Sequence, residues 1–288
     1  MQSLRQVIEG AKAGHVAVGH FNISTLDALW GIFRAAKDLD LPVIIGLSEG
    51  ERDFVGVLQA VALVRSIREQ FSYPIFINAD HTYSYDRVVE AIEAGFDAVI
   101  FDGARLTFEE NLKITKQCVE YARKNRPEVV VEGELGYIGS SSKILDAIPE
   151  GSAVSEKDFT TVAQAVQFVS ESGVDLFSPA VGSIHGMLRS GKDPDLDTRR
   201  IREIAEAVPV PLVLHGASGL DESNIKAAVA AGISLIHINT EIRVAWRDAL
   251  KLSLQAEVDE VAPYKILKGS MHSVEKVVSQ KLKLFNGL

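Results

Sequence analysis

The sequence predicts an α/β fold, a (β/α)8 TIM barrel with an N-terminal helix and extra C-terminal helices. Three observations carry the prediction. Short apolar or β-branched runs alternate with amphipathic segments of helical period. Eight such units fit between residues 15 and 256. Polar residues stand at the ends of the runs, where a barrel of this kind keeps its chemistry. A doubly wound open sheet is the alternative, and the count of eight favours the closed barrel.

The first segment, SLRQVIEGAKA, reads as a helix able to cap the barrel bottom. The strand candidates follow as HVAVGHFN, PVIIGLS, PIFINAD, AVIFDG, VVVEGELG, LFSPAV, PLVLHG and LIHINT. Between them TLDALWGIFRAAKDLD, SYDRVVEAIEAG, TFEENLKITKQCVEYARKN, DFTTVAQAVQFVSESG and ESNIKAAVAAG carry apolar residues at helical spacing. Several end in Gly, a usual helix stop. After the eighth strand, EIRVAWRDALKLSLQAEV and SVEKVVSQKLKLFNGL supply two more helices. The connections at 137–157 and 186–197 are longer than the rest and rich in Gly, Ser, Pro and charge, as lids are. No linker divides residues 1–288, which read as one domain.

With 288 residues, 47% apolar and 24% charged, the chain can bury a large core. No apolar run approaches the ~20 residues a membrane span needs. The start, MQSLRQVIEGAKAG, has no apolar core followed by a cleavage site. A cytoplasmic protein with no membrane partner is expected. The single cysteine, Cys118, excludes an intrachain disulfide and a Cys-rich zinc site, and reads as a packing residue in a helix. A net charge of −9 disfavours nucleic acid as a partner. An anionic ligand would need a local device: a helix N-terminus, a metal ion or a placed arginine.

The strand ends are unusually polar: Asn22, then Ser48 and Glu49, Asp80 and His81, Asp102, Glu132 and Glu134, His185, His215, and finally His237, Asn239 and Thr240. Four of the seven histidines fall here, while His15, His20 and His272 do not join them. One histidine at a strand end is ordinarily hydrogen-bonded scaffold. Three converging from different strands make a divalent metal site, and three protein ligands leave a position open for substrate. Glu132 and Glu134 share one strand face. They are an acid/base pair, a second cation site with Asp102, or partners for arginines. HGASGLDESN places small residues between strand seven and a helix, either a plain tight turn or a phosphate cradle.

In order and spacing, Asn22 in HFN, Asp80-His81, FDGA with Asp102, VEGELG with Glu134, GSIHG with His185-Gly186, LVLHGASG and NTE at 239–241 make a specific pattern. Over nearly its whole length the chain resembles the class II, metal-dependent ketose-bisphosphate aldolases, which include fructose-1,6- and tagatose-1,6-bisphosphate aldolases. The resemblance implies that His81, His185 and His215 bind a catalytic zinc and that Asp80 is the acid/base at the C4 hydroxyl. Asp102 and Glu134 fall where the family can hold a second divalent metal. Asn22 and Ser48 would meet the substrate. Gly186, Gly216, Ala217, Ser218, His237, Asn239 and Thr240 would hold the dihydroxyacetone phosphate portion, where a monovalent cation, Na+ or K+, is also used. Arg189 stands where lysine is expected and neutralises phosphate with a different geometry. A homodimer or homotetramer is expected by analogy.

The resemblance gives sense to NADHT at 78–82. Retro-aldol cleavage needs a Lewis acid and, beside it, a carboxylate that takes the hydroxyl proton, so ligand and base adjoin in the chain. Independently, a Schiff-base aldolase on this fold needs a lysine inside the barrel, and none of the eight strand segments contains one. Fructose 1,6-bisphosphate is the expected substrate. Tagatose 1,6-bisphosphate or another ketose phosphate is the alternative, and a non-catalytic sugar-phosphate binder would not require Asp80 beside three histidines. Three positions depart from the family. YIGSSSKILDAIPEG has serines where two glycines and an acid are expected, so Asp146 or Glu150 is assigned that acid. Ala104 replaces a serine. His237 replaces an asparagine, and is expected to hydrogen-bond the reacting ketose rather than close the metal as a fourth ligand.

Overall fold

The computed structural model describes residues 2–140, 142–189 and 192–288. In chain order the first half runs α1 (Leu4–Gly14), β1 (Val18–Asn22), α2 (Leu26–Leu39), β2 (Val43–Leu47), α3 (Glu49–Val55), α4 (Val57–Phe71), β3 (Ile75–Thr82), α5 (Tyr85–Ala94), β4 (Ala98–Phe101), α6 (Phe108–Asn125) and β5 (Val130–Leu135). The second runs β6 (Ile144–Leu145), α7 (Val162–Ser172), β7 (Leu176–Pro179), β8 (Met187–Leu188), α8 (Thr198–Ala207), β9 (Leu212–Leu214), α9 (Glu222–Ala231), β10 (Ile233–Ile238), α10 (Thr240–Ala256), α11 (Pro263–Ile266) and α12 (Lys268–Asn286). Eight strands close a parallel barrel in the order β1-β10-β9-β7-β5-β4-β3-β2. They are the eight strands the sequence predicts.

Strand alternation divides the barrel wall. Residues facing the helices, such as Phe21, Ile45, Ile77, Val99, Val131, Phe177, Leu214 and Ile236, join one large apolar cluster. The inward set begins with one apolar residue from each strand: Val18, Ile44, Phe76, Ala98, Val130, Leu176, Val213 and Leu235. Leu4, Val7, Ile8 and Ala11 of α1 pack against this layer, so α1 plugs the bottom as expected. Each Val, Leu, Ile or Phe among them contributes roughly 1.5–3 kcal/mol by leaving water. Two residues further along the same face the interior turns polar, with His20, Asn78, Glu132, His215 and His237 all buried.

At the end of β3 the register with β4 shifts between Ala79 and Thr82, and His81 takes a positive φ of 42°. A bulged, left-handed residue costs about 1–3 kcal/mol and re-aims its side chain. Arg52 of α3, 1% exposed, braces this corner from behind. Its Nη1 donates to Leu47 O at 2.6 Å and Asp80 O at 3.2 Å, and its Nη2 to Thr82 Oγ1 at 3.1 Å.

The two long connections meet: β6 and β8 pair in parallel through Ile144 with Met187 and Leu145 with Leu188. Two-residue strands are too short to show alternation, so the sequence gives no sign of them. At the other end of the chain, Val274, Val278, Leu282 and Phe285 of α12 join the outer apolar cluster. Cys118 is buried in α6, where burial pushes its thiol up to about 12, in keeping with a packing role. Among the described residues no helix is long and apolar enough to cross a membrane.

Candidate active site

The ends of β3 and β9 and the loop after β7 bring His81, His215 and His185 together, with one ring nitrogen of each lying within 4.8 Å of the others. The remaining nitrogens are occupied, which decides what each ring offers. His81 Nδ1 is 2.9 Å from Asp102 Oδ2 and 3.4 Å from Glu134 Oε2. His185 Nδ1 is 2.7 Å from Gly139 O. His215 Nε2 is 2.7 Å from Glu132 Oε1, while its Nδ1 is buried without a partner. The free donors are therefore Nε2 of His81, Nε2 of His185 and Nδ1 of His215. Oxygens on the far nitrogens orient metal-binding imidazoles and raise their basicity. The orphaned Nδ1 and the all-imidazole set fit zinc. Glu132 is thus the partner of His215. Asp102 and Glu134 stand against His81, and the same three groups also lie close enough to take a divalent ion.

The electrostatics agree. Burial pushes His185 below its ordinary value, helped by His81 and His215, so its lone pair is free. Burial works against charge on His81, but Asp80, Asp102 and Glu134 outweigh it and hold that imidazole well above the usual range. The pocket is built for positive charge at this point. Burial also disfavours the Asp80 carboxylate, yet the charge of His81 beside it keeps it well below the usual range and therefore ionised.

Asp80 is 2% exposed. Its Oδ2 accepts from Asn22 Nδ2 at 2.8 Å, and its Oδ1 lies 3.3 Å from His237 Nδ1 and 3.8 Å from His81 Nε2. His237 thus turns toward the Asp80 carboxylate. It stacks on His20, with ring centroids 3.5 Å apart and planes 7° from parallel. Lone pairs in parallel ring planes do not converge on one ion, so the stack does not make His20 and His237 joint ligands. Burial pushes His20 down to about 4 and His237 well below its usual value, leaving both rings neutral. The expectation that His20 stands apart from the site is corrected: it lies two residues before Asn22 and so shares its face. Strand alternation alone was the signal for it.

Around the histidines, Asn22, Gly186, Gly216, Ala217, Ser218, His237, Asn239 and Thr240 line one cavity. Gly216 has φ 65°, and a Cβ there would meet Ile184 O at 2.5 Å. The Ser218 hydroxyl accepts from the N–H groups of Asn239 at 3.3 Å and Glu241 at 3.4 Å, docking the loop after β9 on the N-terminus of α10. Ser48 lies across the mouth with Asp80, His81, Tyr83 and His185, beside a space of about 200 Å³.

Arg189 does not reach the histidines. It lines an outer groove of about 350 Å³ with Lys143, Thr240, Arg243 and Arg247, and its Nε donates to Asp146 Oδ1 at 2.7 Å. Asp146 is exposed and turned to that partner, and Glu150 is exposed as well. Neither fills the place assigned to a lid acid; Ser142 lines the cavity instead, its hydroxyl accepting from Asn239 Nδ2 at 3.2 Å. The backbone N–H of Ala104 donates to Asp102 Oδ1 at 3.1 Å, a bond that needs no serine side chain. Sequence reasoning missed Glu51, Tyr83 and Arg243, of which only Glu51 had a signal, the S-x-x-E box opening α3.

Comparison with known proteins gives one direction. The family model for "Fructose-bisphosphate aldolase class-II" matches residues 2–287. A probable fructose-bisphosphate aldolase of Bacillus subtilis is 32% identical over 286 residues, covering 98% of this chain and 96% of its own. A 6-phospho-5-dehydro-2-deoxy-D-gluconate aldolase of Bacillus velezensis is also 32% identical over 286 residues, covering 98% and 94%. The crystal structure of the YdjI aldolase of Escherichia coli K12 superposes with a TM-score of 0.82 at 27% identity, covering 98% of this chain and 96% of that one.

Proposed function

The chain belongs to the class-II fructose-bisphosphate aldolase family and is an aldehyde-lyase, and we propose that it reversibly cleaves fructose 1,6-bisphosphate to dihydroxyacetone phosphate and glyceraldehyde 3-phosphate, with zinc as its catalytic metal. The observation that carries this reading is the Asp80-His81 corner, where an ionised carboxylate adjoins three imidazoles with one ring nitrogen of each within 4.8 Å of the others. His81, His185 and His215 would hold the ion, which when bound supplies Lewis-acid polarisation of the ketose carbonyl.

The chain's own groups do the rest. Asp80 takes the C4 hydroxyl proton as the C3–C4 bond breaks, the electron pair of that bond passes to C3, which takes up a proton to give dihydroxyacetone phosphate, and Asp80 returns its proton to the C4 oxygen in the condensation direction. Asn22 holds one Asp80 oxygen, leaving the other toward the cavity. Gly216 to Ser218 and the N-terminus of α10 favour a phosphate by their backbone N–H groups and helix dipole. Lys143, Arg189, Arg243 and Arg247 gather positive charge at the groove beside them, the local device that a chain of net charge −9 needs for an anionic sugar.

A second substrate has a specific observation behind it: a 6-phospho-5-dehydro-2-deoxy-D-gluconate aldolase is as similar to this chain as a fructose-bisphosphate aldolase. A coupled cleavage assay over fructose 1,6-bisphosphate, its C4 epimer tagatose 1,6-bisphosphate and the phosphorylated gluconate decides. The highest kcat/KM is expected for the fructose compound. Faster turnover of either of the others moves the assignment within the family.

A further inference from the structure

Asn22 links the helix after β2 to the acid/base. Its side-chain nitrogen has two hydrogens and both are used: Nδ2 donates to Asp80 Oδ2 at 2.8 Å and to Glu51 Oε2 at 2.9 Å. Ionised carboxylates only accept, so two of them fix which end of the amide faces them. The carbonyl oxygen is left over. Asn22 Oδ1 is buried without a partner, in a residue that lines the histidine cavity.

Glu51 is itself held. It is 6% exposed, and its Oε2 also accepts from the Ser48 N–H at 2.8 Å and the Ser48 hydroxyl at 2.9 Å. Its Oε1 is ion-paired with Arg243 Nη2. Three elements, α3, β1 and α10, thus converge on one carboxylate that lies one residue removed from Asp80.

We propose that Glu51 is a positioning residue for the reaction. By accepting one Asn22 N–H it holds the amide in the single orientation that donates to Asp80 and presents Oδ1 to a hydroxyl of the substrate. The proposal rests on the aldolase reading, and its test separates the two. Glu51 also closes the capping box of α3, a role that glutamine fills as well as glutamate. Glu51→Gln therefore keeps the cap, while its amide can donate as well as accept and no longer dictates the orientation of Asn22.

Two measurements on the zinc-loaded full chain decide. In the first, solvent exchange of the Asn22 side-chain amide protons is followed by NMR, the signal being identified by its loss in Asn22→Ala. Both protons are protected in the wild type, and at least one loses protection by about tenfold or more in Glu51→Gln. Free exchange in the wild type, or equal protection in both proteins, overturns the proposal; this arm needs no activity, and unchanged protection of the backbone amides of β1 and β3 in the same spectra shows that the loss at Asn22 is local rather than unfolding. In the second, Glu51→Gln lowers kcat about tenfold with KM within about threefold and with Tm and zinc content unchanged, whereas in an Asn22→Ala background it changes kcat by less than about twofold. A kcat within twofold of wild type, or the same loss in both backgrounds, overturns it. A wild type that cleaves no ketose phosphate would instead overturn the aldolase reading, while amide exchange still decides the role of Glu51.

Discussion

The floor and the roof of the barrel are built from the same strands and differ in what those strands carry inward. At the floor, Val18, Phe76, Val130, Val213 and Leu235 meet the apolar face of α1. Two to four residues higher the same faces carry His20 and Asn22, Asn78 and Asp80, Glu132 and Glu134, His215 and His237. The floor gains free energy by excluding water. The roof buries polar groups whose cost is met only where each finds a partner, and several of its atoms find none: Asn22 Oδ1, His215 Nδ1 and His237 Nε2 among them. The difference separates stability from chemistry within one wall, with unpartnered atoms concentrated where a metal and a substrate would supply the missing contacts.

This division can be broken from either side. The largest effect is expected from His185→Ala or His215→Ala, which removes one of three ligands: bound zinc is lost and cleavage falls to background, while the apo fold persists, as metal analysis and circular dichroism would report. At the floor, Phe76→Ala should cost ~3–5 kcal/mol of stability in a denaturant titration and leave the kcat of the folded fraction unchanged. A large change in kcat there would join the two regions that the account keeps apart.

Next comes Asp80→Ala, with kcat reduced ~10²-fold or more and zinc content intact, as expected for a general acid/base. Normal turnover in that variant would remove Asp80 from its role. The smallest effect is expected at Asp146. Its exposed pair with Arg189 is worth no more than ~1 kcal/mol, so Asp146→Asn should leave kcat within about threefold, provided the lid keeps this arrangement in turnover. A drop near ~10²-fold, together with loss of solvent exchange at C3 of dihydroxyacetone phosphate, would mean that the lid closes further and would return this carboxylate to the acid role that the sequence suggests.

The barrel was legible because its strands are short apolar or β-branched runs alternating with amphipathic segments, and because α1 and α12 carry regular apolar faces. The three converging histidines were legible because each goes with a different strand: His81 lies within β3, His215 directly follows β9, and His185 comes six residues after β7. His20 was not recognised as part of the site, since its place depends on which way β1 faces, a phase that one residue of register reverses. The Asn22–Glu51 contact joins residues 29 apart, and the capping box that holds Glu51 can be read only as a helix start. The lid pair β6–β8 is set by contact between two distant loops, which no local pattern encodes. Arg189 lines the outer groove with its guanidinium paired to Asp146, a partner 43 residues away that its place in the sequence does not reveal.

The most direct test of the central claim is cleavage of fructose 1,6-bisphosphate by the same preparation before chelation, after chelation and after adding back zinc, with borohydride trapping run in parallel. The account predicts cleavage that disappears with the metal, returns with one zinc per chain, and is untouched by borohydride in the presence of substrate. Cleavage that survives complete removal of metal, or inactivation by a reduced lysine adduct, would contradict it.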